Sequence, residues 1–199
     1  MTGSGTSTDA QKLFGPSALA TPANALTLAR LLAAPVLAVL VGTIGPSSWV
    51  LFLLWTVLAG SDGVDGRLAR RQGSTRSGAF LDPLADKFLV IGALAALAAS
   101  GVVNSLPVVL IFAREAAMTA FRVYAGRRGV SVPARPLAKV KTLVQCIAIA
   151  MAFFPPIGVA HEGPVRVALW VAVALTLYTG GEYLLDSRRM LRAAGPQTG

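Results

Sequence analysis

The stretch that decides the fold runs from Ser61 to Lys87 and reads S-D-G-V-D-G-R-L-A-R-R-Q-G-S-T-R-S-G-A-F-L-D-P-L-A-D-K. It holds four aspartates, Asp62, Asp65, Asp82 and Asp86, in a chain with only nine acidic residues. Apolar segments flank it on both sides, Trp49 to Gly60 and Phe88 to Leu97. Carboxylates packed this densely beside membrane-grade sequence are costly unless something neutralises them. A bound cation is the first expectation.

The rest of the chain is apolar. Of 199 residues, 54% are hydrophobic and 14% charged, against about 25% charged in soluble domains. The mean hydropathy is +0.65. The formal charge of +9 does not indicate a nucleic-acid partner, because the basic residues punctuate apolar segments instead of forming a soluble basic face. The single cysteine, Cys146, rules out a disulfide framework within the chain, and with one histidine, His161, a His/Cys zinc site is excluded by count.

Six apolar segments are expected as helices, at about 24–41, 49–71, 78–100, 107–126, 137–154 and 165–185. Each is near the length that spans ~30 Å of hydrocarbon. The expected fold is an all-α polytopic membrane protein with six transmembrane helices. Residues 1–20 read as a flexible cytoplasmic tail without a signal-peptide pattern, with a short surface helix around Asp9 to Phe14. The membrane domain covers 21–192, and 193–199 form a polar tail. Gly45-Pro46, the 101–107 stretch and 155–164 read as turns.

Topology follows from charge. The 42–48 and 100–107 turns contain no Lys or Arg, and the 155–166 segment contains only Arg166. The opposite loops carry Arg67, Arg70, Arg71, Arg76, Arg127, Arg128, Arg135, Lys139 and Lys141, and the C-terminal tail adds Arg188, Arg189 and Arg192. Positive loops lie inside, which places both termini and the aspartates at the cytoplasmic side of the cell membrane.

Asp62 and Asp65 are three apart, and Asp82 and Asp86 four apart. Each pair shares a helical face. With a chain reversal between them, two adjacent antiparallel helices would present four carboxylates to one point. All-oxygen ligation favours Mg²⁺, Mn²⁺ or Ca²⁺, and four carboxylates suffice for two metals of the kind used in phosphoryl transfer. The spacing does not match a calcium-binding EF-hand loop. Two other readings remain at this point. The aspartates would cap helices and pair with Arg67, Arg70, Arg71, Arg76 and Lys87, or they would line an ion or proton path. Asn24, Thr27 and Arg30 recur every three residues on the first helix; they form a polar face toward the site, or a cap, a back-bonded hydroxyl and a snorkelling arginine.

The pattern D-x-x-D-G-x-x-A-R, then G-x-x-x-D-x-x-x-D, is carried by Asp62, Asp65, Gly66, Ala69, Arg70, Gly78, Asp82 and Asp86. It resembles the signature of the CDP-alcohol phosphatidyltransferases at every fixed position, and the Asn24, Thr27, Arg30 series resembles that family's first helix. The resemblance implies six transmembrane helices, a homodimer and a cytoplasm-facing site. It implies two divalent cations, Mg²⁺ or Mn²⁺, on Asp62, Asp65, Asp82 and Asp86, with Asp86 also the general base. Asn24, Thr27, Arg30, Gly66, Ala69, Arg70 and Gly78 would border the CDP-linked lipid. The Thr75 to Lys87 segment, Ala113-Arg114-Glu115 with Arg122, and Lys139 to Thr142 are similar to the branch that makes phosphatidylglycerophosphate. That implies CDP-diacylglycerol as donor and glycerol 3-phosphate as acceptor, its phosphate met by Arg114, Arg122, Lys139 and Lys141. The other expectation for Arg114 is an ion pair with Glu115 or a carboxylate on a neighbouring helix, and for the lysines positive-inside anchoring. Cardiolipin synthase and phosphatidylinositol-phosphate synthase are the alternatives on the same fold.

Overall fold

A computed structural model describes the backbone of residues 22–72, 76–127, 136–158 and 162–193, and the side chains of 27–61, 84–125, 139–158 and 163–182. The described residues form helices and turns, with no strand among them. The long helices are α1 (Pro22–Ile44), α2 (Trp49–Gln72), α3 (Arg76–Ala99), α4 (Ser105–Arg127), α5 (Pro136–Phe153) and α7 (Glu162–Ala193); α6 (Pro155–Gly158) is a single turn. They match the six segments expected, with two differences. The 155–164 stretch, expected as a turn, contains α6. The last helix continues past 185 to Ala193, because Arg188, Arg189, Met190, Leu191 and Arg192 are good helix formers and cations favour a helix C-terminus.

Local chemistry sets the breaks. Pro22 opens α1, where its fixed φ suits the first helical position. Gly45 (φ 87°) and Gly101 (φ 78°) turn the chain after α1 and α3 in the left-handed region open to glycine. Gly158 closes α6, and a Cβ there would sit 2.1 Å from the Ala152 carbonyl oxygen.

The bundle has apolar residues both inside and outside. Leu37, Leu51, Trp55, Leu94, Leu97, Ile149, Phe153 and Leu169 form the interior. Trp55 Nε1 donates to the Cys146 carbonyl at 3.0 Å, tying α2 to α5. The outward faces carry Leu28, Leu32, Val36 and Val39 on α1, Leu53 and Val57 on α2, and Val167, Trp170, Val171 and Leu177 on α7. The buried polar side chains, Thr27, Arg30, Glu115, Lys141, Gln145, Thr176 and Thr179, lie inside. An apolar exterior around polar interior groups is the arrangement a bilayer imposes.

Two helical windows are long and apolar enough to cross a membrane among the described residues: Thr27–Ile44, of mean hydropathy 2.0, and Gly163–Glu182, of 1.3. In α2 the apolar part is shorter, Trp49–Ser61, because the aspartate motif starts at the next residue. Helices α3, α4 and α5 are interrupted by Lys87, Arg114 with Glu115, and Lys141. Helix α1 packs on both α2 and α3. Its approach to α3 is close, since a Cβ on Gly92 would lie 3.1 Å from that of Ala34.

Candidate active site

Asp62 and Asp65 lie on α2 and Asp82 and Asp86 on α3, either side of the 73–75 connection. Asp86 is the one whose side chain is described. Those of Asp62, Asp65 and Asp82, and of Asn24, Gly66, Ala69, Arg70 and Gly78, fall outside the described residues.

Asp86 is held from α1. Arg30 Nη1 donates to Asp86 Oδ1 at 2.9 Å. Arg30 is 1% exposed, while the Asp86 side chain keeps 35% exposure. The same guanidinium reaches α2, with Nε and Nη2 donating to Ser61 Oγ at 3.3 and 3.2 Å. The Ser61 hydroxyl in turn donates to the Leu58 carbonyl at 2.8 Å. Arg30 therefore bridges the residue that precedes the first aspartate pair and the last residue of the second. Thr27, one turn earlier, is buried beside it on the α1 face. A planar guanidinium with five donors suits this bridging, which lysine cannot reproduce.

The donor set suits a hard cation. The motif supplies only carboxylate oxygens, and Asp86 is partly open although Arg30 meets its Oδ1. Among the described residues no three His, Cys, Asp or Glu side chains converge, since three of the four aspartates fall outside them.

A second charged cluster begins at the next residue, Lys87. Lys87 Nζ donates to Thr119 Oγ1 at 2.6 Å and lies 3.6 Å from Glu115 Oε2. Glu115 Oε1 accepts from Arg114 Nη1 at 2.9 Å and also from Lys141 Nζ. Arg114 Nη2 donates to Thr179 Oγ1 on α7 at 2.9 Å. Arg114 Nε is buried without a hydrogen-bond partner, against Gly180, where a Cβ would sit 3.1 Å away. Three cations from α3, α4 and α5 thus surround one carboxylate. Lys87, Glu115 and Thr119 also line an apolar groove of about 1100 Å³ between α1, α3 and α4.

Of the residues expected at the acceptor phosphate, Arg114 and Lys141 come together through Glu115, and Arg114 makes the ion pair that was its other reading. Lys139 and Arg122 are exposed. Ser61 and Thr179 were not expected as partners, and Lys87, expected to pair with the aspartates, meets Glu115. Ser61 carried a signal, since it adjoins Asp62 on the same helix, but a serine that back-bonds to its own helix is common.

The CDP-alcohol phosphatidyltransferase family model matches residues 20–178. A Mycobacterium tuberculosis (strain CDC 1551 / Oshkosh) protein named "Probable phosphatidylglycerophosphate synthase" is 39% identical over 184 residues, covering 89% of this chain and 87% of that relative. A CDP-diacylglycerol–glycerol-3-phosphate 3-phosphatidyltransferase of Rickettsia bellii (strain RML369-C) is 35% identical, covering 80% and 91%. One of the same name from Bacillus subtilis (strain 168) is 31% identical, covering 86% and 97%. By the extent of these matches, and by the aspartate motif on α2 and α3, the chain belongs to the CDP-alcohol phosphatidyltransferase family.

Proposed function

We propose that the chain transfers the phosphatidyl group of CDP-diacylglycerol to glycerol 3-phosphate, giving phosphatidylglycerophosphate and CMP. The observation that carries this is Asp86, a partly exposed carboxylate gripped by a buried arginine at the junction of three helices, within the motif of a family of membrane-integral transferases. The names of the relatives support the acceptor.

In this reading the free primary hydroxyl of glycerol 3-phosphate attacks the phosphorus on the lipid side of the pyrophosphate. Its proton passes to Asp86. A P–O bond forms to the acceptor, and the P–O bond to CMP breaks. Enzymes of this family generally use divalent metal ions. Here two, Mg²⁺ or Mn²⁺, would be held by Asp62, Asp65, Asp82 and Asp86. When bound they would offset the charge of the pyrophosphate and of the leaving CMP. Arg30 keeps Asp86 oriented and adds positive charge behind it. Asn24, Thr27, Gly66, Ala69, Arg70 and Gly78 border the donor. Arg114, Arg122, Lys139 and Lys141 answer the acceptor's phosphate, and Lys87 joins them because its ammonium stands beside the same cluster.

The helices cross the cell membrane six times, with the termini and the site on the cytoplasmic side, where a soluble phosphorylated acceptor and a bilayer donor meet. The family resemblance supports a homodimer. The test is conversion of radiolabelled glycerol 3-phosphate into chloroform-extractable lipid by the purified chain with CDP-diacylglycerol. Label remaining wholly in the aqueous phase would defeat the proposal.

A further inference from the structure

We propose that Ser61 is a positioning residue of the catalytic centre, acting through Arg30 to hold Asp86 in place. It rests on Asp86 being the group that takes the acceptor's proton. The geometry is specific. The Ser61 proton is committed to the Leu58 carbonyl at 2.8 Å, which turns the oxygen lone pairs toward Arg30. Two guanidinium nitrogens, Nε and Nη2, meet that one oxygen at 3.3 and 3.2 Å. Two nitrogens sharing one acceptor aim that edge of the guanidinium at Ser61, and the nitrogen on the opposite side, Nη1, is thereby aimed at Asp86 Oδ1, which it meets at 2.9 Å.

The surroundings leave little slack. Arg30 is buried, so removing the Ser61 hydroxyl removes two hydrogen bonds that orient the guanidinium and loosens its aim at Asp86. One turn along α1 from Arg30, Ala34 packs against Gly92 of α3, which sets the spacing of the two helices that Arg30 joins. The guanidinium links Ser61 to Asp86, and Ser61 acts on the reaction through it.

The experiment uses the full chain, purified in detergent, in five forms: wild type, Ser61→Ala, Ser61→Thr, Arg30→Lys and Ser61→Ala combined with Arg30→Lys. Ser61→Ala is expected to lower kcat for CMP release about ten-fold, as loss of a partner behind a ligating or reacting carboxylate does, with the KM values of both substrates unchanged. Ser61→Thr keeps the hydroxyl and restores kcat. In the Arg30→Lys background Ser61→Ala produces no further loss, because the two residues act as one unit. Mn²⁺ binding, followed by electron paramagnetic resonance without substrate, weakens in Ser61→Ala and recovers in Ser61→Thr. Wild-type kcat in Ser61→Ala, losses that add in the double variant, or a defect confined to the yield of folded protein would each overturn the proposal. If the wild type makes no product from glycerol 3-phosphate, the acceptor assignment fails, and the Mn²⁺ titration alone decides on Ser61: weakened binding upholds its role and unchanged binding overturns it.

Discussion

Replacing Glu115 by glutamine should destabilise the bundle more than any surface substitution. Its side chain is 10% exposed and meets Lys141, itself 6% exposed, together with Arg114 and Lys87. Glutamine keeps the shape and one acceptor oxygen but removes the charge that compensates three cations. Breaking a buried pair by removing one partner costs about 3–5 kcal/mol, because the remaining charge is left unanswered. The retained hydrogen bonding places glutamine at the low end, about 3 kcal/mol. Lys87, a third exposed, adds little because water screens it. At roughly 2–4 °C per kcal/mol for a chain of this size, the melting temperature falls by about 6–12 °C. The assay is thermal unfolding of the detergent-solubilised protein by circular dichroism. Lys141→Met should also be destabilising, and the double variant should lose less than the sum of the two single losses, because the partner left uncompensated by each is then gone. A wild-type melting temperature for Glu115→Gln, or strict additivity in the double variant, would refute the reasoning.

Three further outcomes are expected. Asp86→Asn and Asp82→Asn should each abolish CMP release while the protein keeps its helical circular dichroism spectrum, and near-wild-type turnover in either would remove that residue from the metal and base assignments. Chelation with EDTA should stop the reaction and added Mg²⁺ or Mn²⁺ restore it, measured by CMP release; full activity in EDTA would contradict a divalent-cation mechanism. Gly158→Ala should lower the melting temperature, since the added Cβ meets the Ala152 carbonyl at 2.1 Å, and an unchanged value would mean that α6 is free to shift.

Much of the fold was legible because the signals are local. Proline at the start of α1 and glycines at the breaks after α1 and α3 act through their own backbone conformations, and the apolar lengths identified each long helix. The end of α7 was misplaced because polarity was read as the end of a helix, whereas the arginines after 185 are compatible with one. The aspartates were legible as a motif, and the three-residue spacing put Thr27 and Arg30 on one face. The partner of Arg30 was not legible. Asp86 is 56 positions away, and several arginines close in sequence competed for it on paper. Only the packing of α1 against both α2 and α3 selects Arg30 and brings Ser61 to its other edge. The Glu115 cluster was hidden for the same reason. Its cations come from three helices, and a single sequence offers Glu115 only its neighbour Arg114.

What is joined to the phosphatidyl group is decided by an acceptor assay. Purified chain is given CDP-diacylglycerol and Mg²⁺ with glycerol 3-phosphate, phosphatidylglycerol or inositol phosphate in separate reactions, and CMP release is followed. Release is expected with glycerol 3-phosphate and none above background with the other two. Release only with phosphatidylglycerol or inositol phosphate would contradict the proposed acceptor.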